Sequence, residues 1–100
     1  MSVRTAPEPP AALQTTAVLQ ALADPVRLEL VRQLYVAECP IACGAFDSRV
    51  AKSTLSHHFK ILREAGVIAT EPEGGQSMNT IRRQALEDAF PGLLRAIFGA

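Results

Sequence analysis

The sequence predicts an α+β domain that is mostly α-helical. Apolar residues recur at helical spacing in several stretches, whereas residues 67–82 contain two short runs with β-branched residues around a glycine-rich turn. The chain of 100 residues has the length of one domain, and 48% of its residues are hydrophobic, as in ordinary globular proteins. We therefore expect a single helical domain with one β-hairpin.

Residues 52–66 predict one amphipathic helix, which dominates the interpretation of the chain. Leu55, Phe59 and Leu62 recur at i, i+4 and i+7 and form one apolar stripe, and Gly66 is a typical residue just past a helix end. The opposite side carries hydroxyl, imidazole and cationic groups: Ser53, Thr54, Ser56, His57, Lys60 and Arg63. Such groups bond to base edges and phosphates, and a helix fits the major groove, so the pattern favours DNA binding.

Two motifs resemble one family. Residues 52–68, KSTLSHHFKILREAGVI, resemble the recognition-helix signature of the ArsR/SmtB family of bacterial winged-helix repressors, and residues 21–28, ALADPVRL, resemble its opening motif. Together with the later segments of the chain, the resemblance covers nearly all of it after the first ten residues. It implies a winged helix-turn-helix fold in which the first and last helices pair across a two-fold axis.

The predicted function is sequence-specific DNA binding in transcription regulation, by a homodimeric repressor on a pseudo-palindromic operator. The residues expected to enter the major groove are Lys52, Ser53, Thr54, Ser56, His57 and Lys60. Gln76 and Ser77 are expected to contact DNA from the hairpin, which would be the wing. His58 lies nearer the apolar stripe, so we interpret it as a hydrogen-bonded structural histidine.

The other segments predict a tail, further helices and the hairpin. Residues 1–10 contain three prolines and predict a flexible tail, and residues 11–100 form the DNA-binding and dimerisation domain. Residues 11–23 predict a first helix, Asp24 and Pro25 begin a second, and Pro40 begins a short third. A hairpin with its turn at 72–76 and helices at 83–90 and after Pro91 complete the chain. Ala51 stands at the expected cap of the recognition helix, so either Ser53 caps it one step later or its start is frayed.

Charge alone does not favour a nucleic-acid partner, because ten Lys and Arg balance ten Asp and Glu. The distribution matters more, since six cations fall in the half expected to face DNA: Arg49, Lys52, Lys60, Arg63, Arg82 and Arg83. Arg27 is interpreted either as a phosphate contact or as a solvated side chain. The zero net charge leaves one alternative function, a winged-helix protein-interaction module without DNA binding.

The two cysteines do not predict a metal centre. Cys39 and Cys43 are spaced C-x-x-x-C, whereas metal-sensing members of the resembled family often use C-x-C, and no histidine occurs after His58. Two thiolates do not complete a zinc site, so we expect no cofactor and interpret both cysteines as structural. The alternative is a repressor that responds to oxidants or soft metal ions through this pair, with an inducer that the sequence does not identify.

Enzymatic and membrane functions are not expected. Ser53 and His57 stand one turn apart on a surface helix, and the sequence has no nucleophile elbow, phosphate-binding glycine loop or HExxH motif. The N-terminus has no apolar run of the kind that a secretory signal needs, and no stretch approaches the length of a membrane span. We therefore expect a cytoplasmic protein without a membrane partner.

Overall fold

The computed structural model describes residues 12–99, which form five α-helices and a small sheet. In chain order the elements are α1 (Thr15–Leu22), α2 (Pro25–Ala37), β1 (Ile41–Ala42), a 3-10 helix (Cys43–Ala45), α3 (Lys52–Ala65), β2 (Ile68–Glu73), β3 (Gln76–Ile81), α4 (Arg83–Ala89) and α5 (Leu93–Phe98). The predicted mostly helical α+β fold with a hairpin is confirmed. The tail predicted at 1–10 lies outside the described residues. No helix within 12–99 has the length and apolarity needed to traverse a bilayer.

One apolar core lies beneath α1, α2 and α3 and continues under the sheet and α4. Its largest fully buried apolar side chains are Leu30, Leu34, Leu62, Leu86, Val18, Val31 and Val67. The predicted stripe of α3 is buried in this core, and the Phe59 ring packs 5.1 Å from the Phe46 ring. Gly66 ends α3 in the left-handed conformation (φ 84°), as predicted from its lack of a Cβ. The core therefore fixes which side of α3 faces solvent.

The short third helix predicted from Pro40 is wrong. Ile41 and Ala42 form β1, which pairs antiparallel with Asn79 and Met78 of β3, and only a three-residue 3-10 helix comes after it. Pairing across the sheet satisfies the backbone groups that an α-helix would otherwise satisfy, and Gly44 is a poor helix former. The structure thus inserts an edge strand where helical propensity alone favoured a helix.

The hairpin is longer and its turn tighter than predicted. Gly74 and Gly75 both have positive φ (59° and 82°), which suits a two-residue turn between antiparallel strands. Pro72 was expected in the turn but belongs to β2, where an edge strand tolerates its missing N–H. The first helix is shorter than predicted, since α1 begins only at Thr15.

Asp24 caps α2 as predicted, and Pro25 stands at the first helical position. The Asp24 carboxylate accepts hydrogen bonds from the backbone N–H groups of Val26 (2.9 Å) and Arg27 (3.1 Å). The pKa of Asp24 lies below its usual value, chiefly because of the hydrogen bond from the Arg27 N–H. The carboxylate form is therefore the one that stabilises the fold.

Asp24→Ala is expected to lower the free energy of unfolding at pH 7 by about 1 kcal/mol, because the cap is lost. Since the folded pKa of Asp24 is depressed, its contribution is present above the unfolded value near 4 and disappears as the pH falls below it. Urea titrations at pH 7 and pH 3 check this, with Asp24→Ser as the control that keeps a cap. If the free energies of unfolding of the parent and Asp24→Ala differed by the same amount at both pH values, the prediction would be contradicted.

Candidate nucleic-acid interface

The solvent-facing side of α3, called here the α3 outer face, contains every major-groove residue predicted from the sequence. It consists of Lys52, Ser53, Thr54, Ser56, His57, Lys60 and Arg63, all of which are exposed. Helical spacing places Lys52, Ser56 and Lys60 in one row, with Ser53 and His57 in the row beside it. The result is a continuous strip of hydroxyl, imidazole and ammonium groups. This is a surface suited to donating hydrogen bonds to bases and phosphates.

The first turn of α3 presents backbone N–H groups as well as side chains. Its cap residue is Ala51 in an extended conformation, and no side chain in residues 12–99 makes a capping hydrogen bond there. Ser53 therefore does not replace the missing cap. Instead, the Ser48 hydroxyl accepts a hydrogen bond from the Val50 N–H (3.1 Å) just before the helix. The uncapped N-terminal end of a helix carries partial positive charge, which is compatible with a nearby phosphate.

The wing brings Gln76 and Ser77 to the start of β3, where both are exposed. They line a cleft of about 450 Å³ together with Cys43 and Gly44 of the 3-10 helix. The same Cys43 and Gly44 line a smaller cleft of about 200 Å³ whose other wall includes Lys52 and Ser56 of α3. The 3-10 helix therefore borders both the wing residues and the α3 outer face.

The wing also carries two acidic residues whose position the sequence did not define. Glu71 and Glu73 are exposed on β2, and Glu73 pairs directly with Gln76 across the hairpin. A carboxylate beside Gln76 opposes the approach of a phosphate. The electrostatics of the wing therefore differ from those of the cationic α3 outer face.

Asn79 was not singled out by the sequence, yet it joins the wing to the segment before α3. Its amide nitrogen donates to the Ile41 carbonyl (3.1 Å) and to the Cys43 sulfur (3.2 Å), and its amide oxygen accepts from the Thr70 hydroxyl (2.7 Å). The residue is completely buried. An asparagine within a strand, a type normally depleted there, was the only signal that could have indicated it.

Two of the predicted DNA-facing cations make contacts within the fold. Arg82 donates to the Gly66 carbonyl (2.9 Å), and Arg83 donates to the Tyr35 carbonyl (2.8 Å) while its guanidinium lies 4.3 Å from the centre of the Tyr35 ring. Both arginines are only partly exposed. Whether either arginine also faces DNA stays a prediction. Arg49, Lys52, Lys60 and Arg63 are exposed, as expected of phosphate contacts.

Arg27 belongs to a polar group on the inner side of α3, called here the inner cluster: Asp24, Arg27 and His58. Arg27 donates through Nε to the Ala21 carbonyl (2.8 Å) and through Nη2 to the Gln20 carbonyl (3.2 Å), and its Nη1 lies 3.2 Å from His58 Nδ1. The interpretation of Arg27 as a solvated side chain is therefore wrong, and its phosphate contact stays a prediction. The prediction that His58 is a hydrogen-bonded structural histidine is confirmed.

The two cysteines lie in different segments and do not share a helix. Cys39 is exposed before β1, and Cys43 is half-buried in the 3-10 helix; neither forms a disulfide. Within residues 12–99, no three or more His, Cys, Asp and Glu side chains are grouped so as to hold a metal ion. Whether either thiol responds to oxidants or soft ions stays a prediction.

Comparison with known proteins gives concordant results. A helix-turn-helix domain family matches residues 22–71. An uncharacterized HTH-type transcriptional regulator of Bacillus subtilis, YceK, is 34% identical over 82 residues, which cover 80% of this chain and 82% of YceK. The transcriptional repressor BigR from Xylella fastidiosa is 27% identical with a TM-score of 0.61, covering 86% of this chain and 87% of that one.

A third similar protein is NolR from Sinorhizobium fredii, which is 25% identical with a TM-score of 0.64 and covers 86% of this chain and 85% of its own. The sequence motifs, the helices with their hairpin and these relatives agree on one assignment. The chain belongs to the helix-turn-helix transcriptional regulators, which bind DNA and are not enzymes, and it has the winged-helix fold of an ArsR family regulator.

Proposed function

We propose that this regulator is a homodimeric cytoplasmic repressor that binds a pseudo-palindromic operator through the α3 outer face. The observation that carries the proposal is the sorting of α3 into two sides, with an apolar stripe in the core and hydroxyl, imidazole and ammonium groups outside. Lys52, Ser53, Thr54, Ser56, His57 and Lys60 enter the major groove. The small hydroxyls of Ser53, Thr54 and Ser56 let the helix approach closely, and His57 and the lysines reach further.

Repression fits a protein whose described residues form one small domain with this interface. BigR, one of the similar proteins, is named a transcriptional repressor. A small dimer seated on DNA at a promoter excludes polymerase without any catalytic step. The test is a gel shift with DNA upstream of the protein's own gene, together with a reporter fused to that DNA. Retarded DNA and lower reporter output support the proposal, whereas higher output with the protein present would make it an activator.

The homodimer is supported by large apolar side chains left in water on the first and last helices. Leu19 of α1 is 50% exposed and Ile97 of α5 is 39% exposed. Leu13, just before α1, and Phe98, next to Ile97, are partly buried and pack against the core. Pairing two copies through these helices removes this surface from water, which is the main driving force for association.

Leu19→Glu is expected to convert the dimer to a monomer, because the interface would then bury an unpaired carboxylate. Light scattering at micromolar concentration should give the parent twice the chain mass of 10.7 kDa and the variant that mass itself. Val36→Glu is the matched control, since Val36 is also exposed but lies on α2, and this variant should remain dimeric. A monomeric parent would contradict the proposal.

The wing is proposed to contact DNA through Gln76 and Ser77, with Glu73 opposing phosphate approach. Glu73→Gln is then expected to raise affinity for any duplex about threefold at low salt, and the gain should shrink at high salt as screening increases. Anisotropy titrations at two salt concentrations measure it, with Glu87→Gln on α4 as the control outside the proposed interface. If both variants bind like the parent at low salt, the wing does not approach the backbone.

A further inference from the structure

The inner cluster connects three helices through one guanidinium group. Arg27 stands in the first turn of α2, and it donates to carbonyls of Gln20 and Ala21 at the C-terminal end of α1. The Gln20 carbonyl also accepts from the Ala23 N–H (3.2 Å), and a cation is favourable beside carbonyls at the C-terminal end of a helix. The remaining guanidinium nitrogen, Nη1, contacts His58 in the middle of α3. One planar group thus determines how the end of α1 lies against α3.

The contact assigns a role to one ring nitrogen of His58. Arginine is a donor only, so Nδ1 of His58 is the acceptor of this hydrogen bond. Other charged or titratable groups near the ring are the Asp24 carboxylate, 3.9 Å from Nδ1, and His57, whose ring centre lies 6.1 Å away. Asp24 is already occupied by the N–H groups that it caps. His58 is therefore positioned through Arg27.

We propose that Arg27 and His58 are positioning residues that fix the α3 outer face relative to α1 and thereby determine the half-site spacing that the dimer reads. This inference rests on the proposed function, in which α1 pairs the two copies and α3 enters the groove. Apolar packing between α1 and α3 is non-directional and allows small shifts. A planar guanidinium with three directed hydrogen bonds does not, because its donors have fixed geometry.

The consequence for DNA is geometric. Two recognition helices read half-sites about one helical turn, roughly 34 Å, apart. A small rotation of α3 about α1 moves the recognition helices of the two copies in opposite directions across the two-fold axis. The separation of the two helices therefore changes by twice the displacement of one helix. Loss of the Arg27–His58 hydrogen bond should therefore affect recognition of the spacing more than recognition of a single half-site.

Three variants of the full chain separate positioning from plain stability. His58→Leu removes the acceptor, His58→Gln keeps one within reach of Arg27, and Leu86→Ala destabilises the buried core at α4 without touching the inner cluster. The probe is a DNA duplex from upstream of the protein's own gene, chosen as the segment that the protein protects in a footprint. Two altered duplexes have one base pair inserted or removed between the half-sites. A duplex with one half-site is the reference.

We expect an affinity for the natural spacing about tenfold or more above that for the altered spacings in three proteins: the parent, His58→Gln and Leu86→Ala. His58→Leu should lose this preference and still bind the single half-site with an affinity within about twofold of the parent's. In ¹⁵N NMR spectra the parent's His58 should show an unprotonated Nδ1 and a protonated Nε2, and Arg27→Gln should remove this tautomer preference. If His58→Leu kept the spacing preference, or if Leu86→Ala lost it equally, this inference would be overturned and the proposed function would stand. A parent that binds no upstream DNA would overturn the proposed function, and this inference with it.

Discussion

Replacing Ser56 and His57 together by alanine is expected to lower affinity for the operator about 30-fold or more, because each specific base contact contributes about 1–3 kcal/mol. Affinity for unrelated DNA should change little, since the lysines and arginines expected to contact phosphates are left in place. Both side chains are exposed in adjacent rows of the α3 outer face, so their removal leaves the core intact. Anisotropy titrations against the upstream segment and a scrambled duplex of equal length measure the two affinities.

Lys60→Ala is the matched comparison for that double variant, since Lys60 lies on the same exposed side but carries a charge. It should weaken binding to both duplexes alike and reduce the slope of log K against log salt by about 2, because each of the two copies loses one phosphate contact. If the double variant keeps the operator affinity of the parent while remaining folded, the helix or its outer face has been assigned wrongly.

Asn79→Ala is expected to lower the free energy of unfolding by about 2–4 kcal/mol. The substitution leaves the Ile41 carbonyl and the Thr70 hydroxyl without their partner and opens a cavity in a completely buried position. Urea denaturation followed by circular dichroism measures the loss.

Thr70→Val provides the control for Asn79, because it removes only one of the three hydrogen bonds and should cost about 1 kcal/mol. If Asn79→Ala stays within about 0.5 kcal/mol of the parent, the size expected of an ordinary surface substitution, the wing is not held by this amide. A loss equal to that of Thr70→Val would mean that the contacts to Ile41 and Cys43 contribute nothing.

The elements predicted correctly from the sequence are those that local signals determine. The helical period of Leu55, Phe59 and Leu62 defines the buried side of α3, and Gly66 and Asp24 mark helix boundaries through their own backbone and side-chain chemistry. The exposed residues of α3 are set by the same period. The composition of the predicted interface therefore needed no knowledge of the rest of the fold.

The features that were missed depend on partners distant in the chain. β1 exists because Ile41 pairs with Asn79, which lies 38 positions away in the chain. Local propensity does not predict a pairing between residues so distant in sequence. Arg27 and His58 are separated by 31 positions, so an exposed and an inward role for Arg27 were indistinguishable in the sequence. Arg83 likewise finds Tyr35 only after folding.

The central claim is that the α3 outer face recognises a specific operator, and a competition titration of the parent protein tests it most directly. Labelled DNA from upstream of the protein's own gene is bound at physiological salt and challenged with unlabelled copies of itself or with a scrambled duplex. The predicted result is saturation at two chains per duplex, with the scrambled competitor at least about 1,000-fold weaker, the lower range for specific DNA-binding proteins. Equal competition by the two duplexes would contradict the claim.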